Sequence, residues 1–161
     1  MTNRDFFIKR LESETPAMLR VFRALPEDKL DYRPHPRSRT AGDLVAVLVA
    51  EVACTVEMCE KGEINWVEPQ SATSPEKAAA DYERLQKRYL ELLHKVDDTT
   101  WNKMIPMLMG GKKVHEGTFS GMCWEFVFDA VHHRGQLSAY IRPMGGKVPS
   151  IYGPSADDPG M

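Results

Sequence analysis

The run Phe128-Asp129-Ala130-Val131-His132-His133-Arg134-Gly135-Gln136 sets an aspartate and a histidine four residues apart, beside a second histidine and an arginine. The surrounding residues are apolar and read as a helix. On a helix, side chains at i and i+4 lie one above the other, so Asp129 and His133 share a face. A carboxylate and an imidazole on a core-facing stripe are costly unless they are paired or bound to something. Three arrangements account for them. They are ligands of a metal ion, a general acid/base pair, or a hydrogen-bonded pair in which Asp129 only orients His133. The pair alone does not choose among these.

A metal site needs a third donor from another helix. The stripe Leu44, Val47, Leu48, Glu51, Thr55, Met58 carries one charged residue, Glu51, on its inward sector. Facing helices would bring Glu51, Asp129 and His133 together as two carboxylates and one imidazole. That donor set suits Mn²⁺, Fe²⁺, Ni²⁺ or Zn²⁺ with open positions. Glu51 as a buried carboxylate paired with an arginine or histidine is the competing expectation. Glu57 and Glu60 fall on the polar flank. His35, His94 and His115 lie in a proline-rich loop, at a helix end and beside a charged turn. The three cysteines, Cys54, Cys59 and Cys123, have no metal-ligand spacing and read as small packing groups.

Four helical patterns must position these residues. The first covers about Arg4 to Leu25, with Pro16 expected to kink or split it. The second starts at Thr40, an N-cap with Asp43 three residues on, and stops at Gly62. The third follows the Ser74 cap and Pro75 and extends to about Val96. The fourth spans about Ser120 to Arg142. On it, Phe119, Met122, Phe126, Asp129, Ala130, His133, Leu137 and Tyr140 are expected on one inward sector, with His132 outside it. The long connection before this helix contains Gly110-Gly111 between short apolar stretches, which predicts a small hairpin. The segment from Ile64 to Lys77 reads as a loop. The fold class expected is all-α, a four-helix bundle, and the chain 1–161 is read as one domain with an extended arm over 145–161. In that arm Val148, Ile151 and Tyr152 are apolar anchors, and Arg134 and Arg142 are expected near Asp157 or Asp158.

Composition excludes several classes. Of 161 residues 42% are hydrophobic and 27% charged, with a net charge of −2. No basic stripe marks a nucleic-acid partner, and no apolar run approaches the ~20 residues of a spanning helix. An odd number of cysteines without a C-x-x-C pair argues against a disulfide framework, so the expected location is the cytoplasm.

The run "DAVHHRGQLSAYIRPMGGKVPSIYGPSADD" resembles the C-terminal signature of the DinB-like superfamily of damage-inducible, nominally metal-dependent proteins. "LPEDKLDYRPHPRSRTAGDLVAVLVAE" resembles the segment leading into that family's second helix. The resemblance implies a four-helix bundle of up-down-down-up type, often a homodimer. It also implies a divalent metal held by three histidines, one on the second helix and two on the fourth. Some relatives are thiol-dependent transferases or isomerases using low-molecular-weight thiols. Carried onto this chain, His133 matches the last ligand, Asp129 stands at the first fourth-helix position, and Val47 occupies the second-helix position. Valine coordinates nothing, so Glu51 one turn on would have to compensate. Two functions are therefore expected. One is a divalent-metal-dependent enzyme of thiol-transferase or hydrolase type acting on a small molecule, with His132 or Tyr140 nearest for proton transfer. The other is a non-catalytic, dimeric stress-response or ligand-binding bundle that has lost the metal.

Overall fold

The computed structural model describes residues 1–160. In chain order the elements are α1 (Asn3–Arg23), α2 (Ala41–Lys61), β1 (Ile64–Trp66), α3 (Pro75–Leu93), α4 (Asp98–Trp101), β2 (Met104–Met109), β3 (Lys112–Thr118) and α5 (Phe119–Ile141). Among the described residues no helix is long and apolar enough to cross a membrane. The four long helices make the bundle. Their starts are set by side chains that occupy the orphan N–H groups of a first turn. Thr2 with Asp5 and Thr40 with Asp43 form reciprocal capping boxes, and Ser74 accepts from Lys77 N ahead of Pro75. Gly62, at φ 73°, closes α2 in the left-handed conformation that suits glycine.

Pro16 does not split α1, which continues through it. The proline is exposed, so the backbone bond it removes lies on a side where the helix can tolerate the loss. The third helix stops at Leu93 rather than Val96, with His94 as its C-cap. Asp97 then caps α4 by accepting from Thr100 N. The expected hairpin is present as β2 and β3, turned by Gly110 (φ 57°) and Gly111 (φ 75°). Two consecutive positive φ values are what a two-residue hairpin turn matched to strand twist requires. The loop expected after Gly62 differs: β1 pairs in parallel with β2, with Ile64 opposite Met107.

Contacts between the helices fix their directions. Arg23 near the end of α1 reaches Glu76 and Glu83 early in α3, so these two run antiparallel. The start of α3 lies by the start of α2, where Ala72 N bonds Gly42 O, and Arg88 pairs with Glu60 further along, so α2 and α3 are parallel. Phe7 packs on Trp124 and Glu14 pairs with Arg134, so α1 and α5 are parallel. The bundle is thus up-down-down-up.

Two apolar clusters fill its ends. One gathers Phe22, Leu44, Leu48, Tyr82, Leu137 and Ile141; the other gathers Phe7, Met58, Tyr89, Trp101, Phe119 and Met122. The buried polar residues Glu51, Thr55, Gln86 and Arg134 fall between them along the helices, forming a polar belt at the waist of the bundle.

The arm after α5 is held by specific bonds. Asp157 accepts from Arg142 Nε (2.8 Å) and Val148 N (3.0 Å), and Asp158 accepts from Ser150 N (2.7 Å). Arg20 on α1 donates to Ser150 O at 3.0 Å. Val148 is buried and Ile151 half-buried, but Tyr152 is 72% exposed and anchors through its hydroxyl instead.

Candidate metal centre

Glu51 projects from the middle of α2 into the waist. The whole expected stripe from Leu44 to Met58 is buried, because α2 packs against both α3 and α5. Glu51 itself is 3% exposed, and its Oε2 has no hydrogen-bond partner. Beside it lies a small cavity of about 30 Å³ walled by Leu11, Val52, Tyr89, Cys123, Phe126 and Ala130. Burial first, and then the neighbouring Asp129 carboxylate, push the Glu51 carboxyl up to about 9; the Arg39 cation only partly opposes this. At neutral pH the metal-free protein therefore holds Glu51 as a neutral acid.

Asp129 and His133 come from α5 on the opposite wall. One donor atom from each of Glu51, Asp129 and His133 lies within 4.8 Å of the others. His133 Nε2 sits 3.5 Å from Asp129 Oδ2, while His133 Nδ1 faces Gln136 Oε1 at 2.9 Å. A carbonyl oxygen accepts, so Nδ1 carries the proton and Nε2 presents its lone pair towards the cluster. Gln136 thereby sets the ring's tautomer and orientation, a role usual for the partner of a ligating histidine.

The placement of Asp129 corrects the sequence expectation. Its side chain is 54% exposed, not inward, while that of His133 is 15% exposed. The buried line on α5 runs through Cys123, Arg134, Leu137 and Ile141. At 3.6 residues per turn, Asp129 is about 140° from Arg134 around the helix, at the edge facing α2 and solvent. The cluster thus has one deep carboxyl, one half-sheltered imidazole and one solvent-facing carboxylate. Phe126, also expected inward, is only partly buried.

Arg134 is the buried residue that periodicity missed. It is 2% exposed, donates to Glu14 Oε2 at 2.7 Å and to the Tyr152 hydroxyl, and lies over the Tyr152 ring at 4.9 Å. It does not meet Asp157 or Asp158; only Arg142 makes that expected pair, with Asp157. The spacing that would have shown it is Cys123, Val127, Ala130, Leu137 and Ile141, all at three, four or seven residues (or their sums) from Arg134.

The remaining candidates separate clearly. Val47 is buried one turn before Glu51 and offers no donor. His132 is exposed, with its ring 5.3 Å from that of His133. Tyr140 is buried against Tyr32, and its hydroxyl donates to Arg39 O at 3.4 Å. His115 pairs with Glu125 at the surface. The cysteines are unpaired. Burial holds the Cys54 and Cys59 thiols up at about 11 and about 12, and raises Cys123, which accepts from Tyr89. None of the three is a thiolate at neutral pH, so any thiol chemistry here would use a thiol from outside the chain.

The model of the DinB family matches residues 1–160. The chain belongs to the DinB family. Three solved structures share its fold at low identity. A DinB-like protein from Bacillus cereus aligns with TM-score 0.71 and 20% identity, over 91% of this chain and 95% of that one. YfiT from Bacillus subtilis aligns with TM-score 0.69 and 16% identity, over 90% of each chain; it is described as a probable metal-dependent hydrolase with an unusual four-helix bundle topology. The DinB-like YjoA of Bacillus subtilis aligns with TM-score 0.66 and 15% identity, over 86% and 91%. No curated protein sequence matches this one at a significant level.

Proposed function

We propose that this DinB-family chain is a divalent-metal-dependent enzyme of the hydrolase type, with the metal held by Glu51, Asp129 and His133. The carrying observation is Glu51, buried with its Oε2 unpartnered, whose carboxylate offers an oxygen within 4.8 Å of an imidazole nitrogen and of a second carboxylate oxygen. A buried carboxyl oxygen without a donor is costly, and a cation is the partner this trio of donors fits. Two oxygens and one nitrogen suit Mn²⁺, Fe²⁺, Ni²⁺ or Zn²⁺. Such an ion, when bound, polarises a substrate carbonyl and lowers the pKa of a coordinated water or thiol.

The chain's own residues supply the rest. Glu51 gives up its proton to become a ligand, Gln136 holds His133 with Nε2 forward, and the exposure of Asp129 leaves the site open to a small-molecule substrate. The structural similarity to YfiT supports the hydrolase reading. A transferase using a low-molecular-weight thiol fits the same open site, the thiol coming with the substrate.

A second reading rests on Val47 and on neutral Glu51. Without the family's second-helix histidine, Glu51 and Asp129 would share one proton as a structural pair in a non-catalytic bundle. Elemental analysis of tag-free protein dialysed against each ion in turn separates the two. The metal reading requires about one ion per chain in the wild type and none in Asp129→Ala or His133→Ala. The structural reading requires none in any of them.

A further inference from the structure

Helix α5 is apolar almost all the way round. Histidines aside, only Glu125, Asp129 and Arg134 carry a charge between Phe119 and Ile141. A helix of that composition is normally buried on every side. Here α1 and α2 cover two sides of it and a third is left open. On the open side Phe128 is 65% exposed, Trp124 and Val131 are half-buried, and Gly135 and Ala139 are exposed. Phe6 of α1 widens the patch. Its ring lies 6.1 Å from that of Trp124, which in turn stacks on Phe128 at 5.8 Å. An exposed apolar patch of this kind marks a contact surface.

The order of residue sizes along the patch says what covers it. At about 100° per residue, Trp124, Phe128, Val131, Gly135 and Ala139 fall on one stripe about 80° wide. Its N-terminal half is bulky and its C-terminal half is small. Trp124 and Phe128 are spaced as Gly135 and Ala139 are, so the stripe is complementary to itself when reversed. A second α5 laid antiparallel across it sets Phe128 on Gly135 and Trp124 on Ala139, and does so twice. Among the described residues nothing lies within 4 Å of the place a Gly135 Cβ would take, so a ring can reach the backbone there.

Charge points to the same partner and the same direction. Glu125 and Asp129 are exposed in the N-terminal half of α5, and Arg142 is exposed at its C-terminal end. A parallel partner would set acid against acid. An antiparallel one brings Glu125 within about one helical turn of Arg142 of the second copy, at both ends of the contact. We propose that α5 is a homodimer interface, in which two copies of this chain pack their α5 helices antiparallel about a two-fold axis between Val131 and His132. Such a contact is isologous and closes on itself as a dimer. The metal centre opens on the side of α5 that faces α2, so the interface stands whether or not an ion binds.

The test is sedimentation equilibrium of the full, tag-free chain at up to about 100 μM, where a dimer of micromolar Kd is nearly all associated. The wild type is expected to be a dimer. Phe128→Ala is expected to weaken it at least about tenfold, because the axis repeats the loss of an aromatic anchor. Gly135→Leu puts a better helix former on an exposed position, so it is expected to keep the wild-type circular dichroism and yet sediment as a monomer. Phe128→Ala combined with Gly135→Phe exchanges bulky and small positions and is expected to recover most of the association. Oxidised Val131→Cys is expected to give a covalent dimer, whereas Lys87→Cys, on the exposed face of α3, is not. A wild type that stays monomeric, even if its α5 face then binds lipid vesicles, would overturn the proposal. So would a dimer unmoved by Phe128→Ala or Gly135→Leu, a double variant no tighter than Phe128→Ala, or no cross-link through Val131→Cys.

Discussion

Replacing Glu51 by glutamine should stabilise the metal-free protein, and by an amount that depends on pH. Glu51 is held at about 9 in the fold against 4.5 ordinarily, chiefly because burial penalises its charge. The folded state therefore keeps a proton that the unfolded chain releases above pH 4.5. Stability from this group is complete below that pH and is lost progressively as pH rises towards 9. At pH 7 the solution is about 2.5 units above the ordinary value of 4.5 at which the unfolded carboxyl titrates, which at about 1.4 kcal/mol per unit is a penalty of about 3 kcal/mol for keeping the proton in the fold. Glutamine has the size of the neutral acid, can still donate to Asp129, and cannot ionise in either state. Urea unfolding in a chelator at pH 5, 7 and 8.5 should show Glu51→Gln more stable by about 3 kcal/mol at pH 7, less at pH 5 and more at pH 8.5. A gap that does not change with pH, or a wild type that gains stability from pH 5 to 8.5 relative to the variant, would refute the neutral, buried state of Glu51.

Other consequences are equally direct. Because Glu51 must lose its proton to coordinate, metal uptake should release protons and strengthen as pH rises from 6 to 8.5; calorimetry in buffers of different ionisation enthalpy counts them. Gln136→Leu should weaken metal binding by about 10-fold to 100-fold with little change in chelated stability, since it frees the tautomer of His133 without emptying a ligand position. Arg134→Met should cost about 3 kcal/mol in urea unfolding, because it leaves the sheltered Glu14 carboxylate without its cation and with only the Tyr152 hydroxyl as a donor. Tyr152→Phe, which keeps the ring on Arg134, should cost only about 1 kcal/mol. Val47→His would place a donor one turn from Glu51 and should raise metal affinity at least about tenfold, read by competition with a chelating dye.

Much of this was legible in the chain, for physical reasons that differ by element. Thr40, Asp43, Ser74, Pro75 and Gly62 each satisfy a local requirement of a helix end, so the limits of α2 and the start of α3 follow from neighbours in sequence. The Gly110-Gly111 hairpin is local in the same sense. The parallel pairing of β1 is not: three residues meet a strand some forty positions on, and nothing beside Ile64 signals it. Glu51 stood out because it interrupts a stripe of apolar residues. Asp129 was misplaced because an i,i+4 spacing gives relative orientation only. Which sector of α5 is buried depends on α1 and the arm, where Arg134 finds Glu14 and Tyr152. Gln86 was invisible for a related reason, since a glutamine on a polar-looking helix gives no sign of its burial against Tyr82.

The metal centre proposed for this chain has Glu51, Asp129 and His133 holding one divalent ion together. Its most direct measurement is calorimetric titration of the tag-free, chelator-stripped protein with Ni²⁺, Zn²⁺, Mn²⁺ and Fe²⁺ at pH 8, beside Glu51→Gln, Asp129→Ala and His133→Ala. Saturable binding of at least one ion at one per chain, lost in all three variants while they remain folded, is the predicted result. No saturable binding of any ion, or binding that survives in the variants, would contradict it.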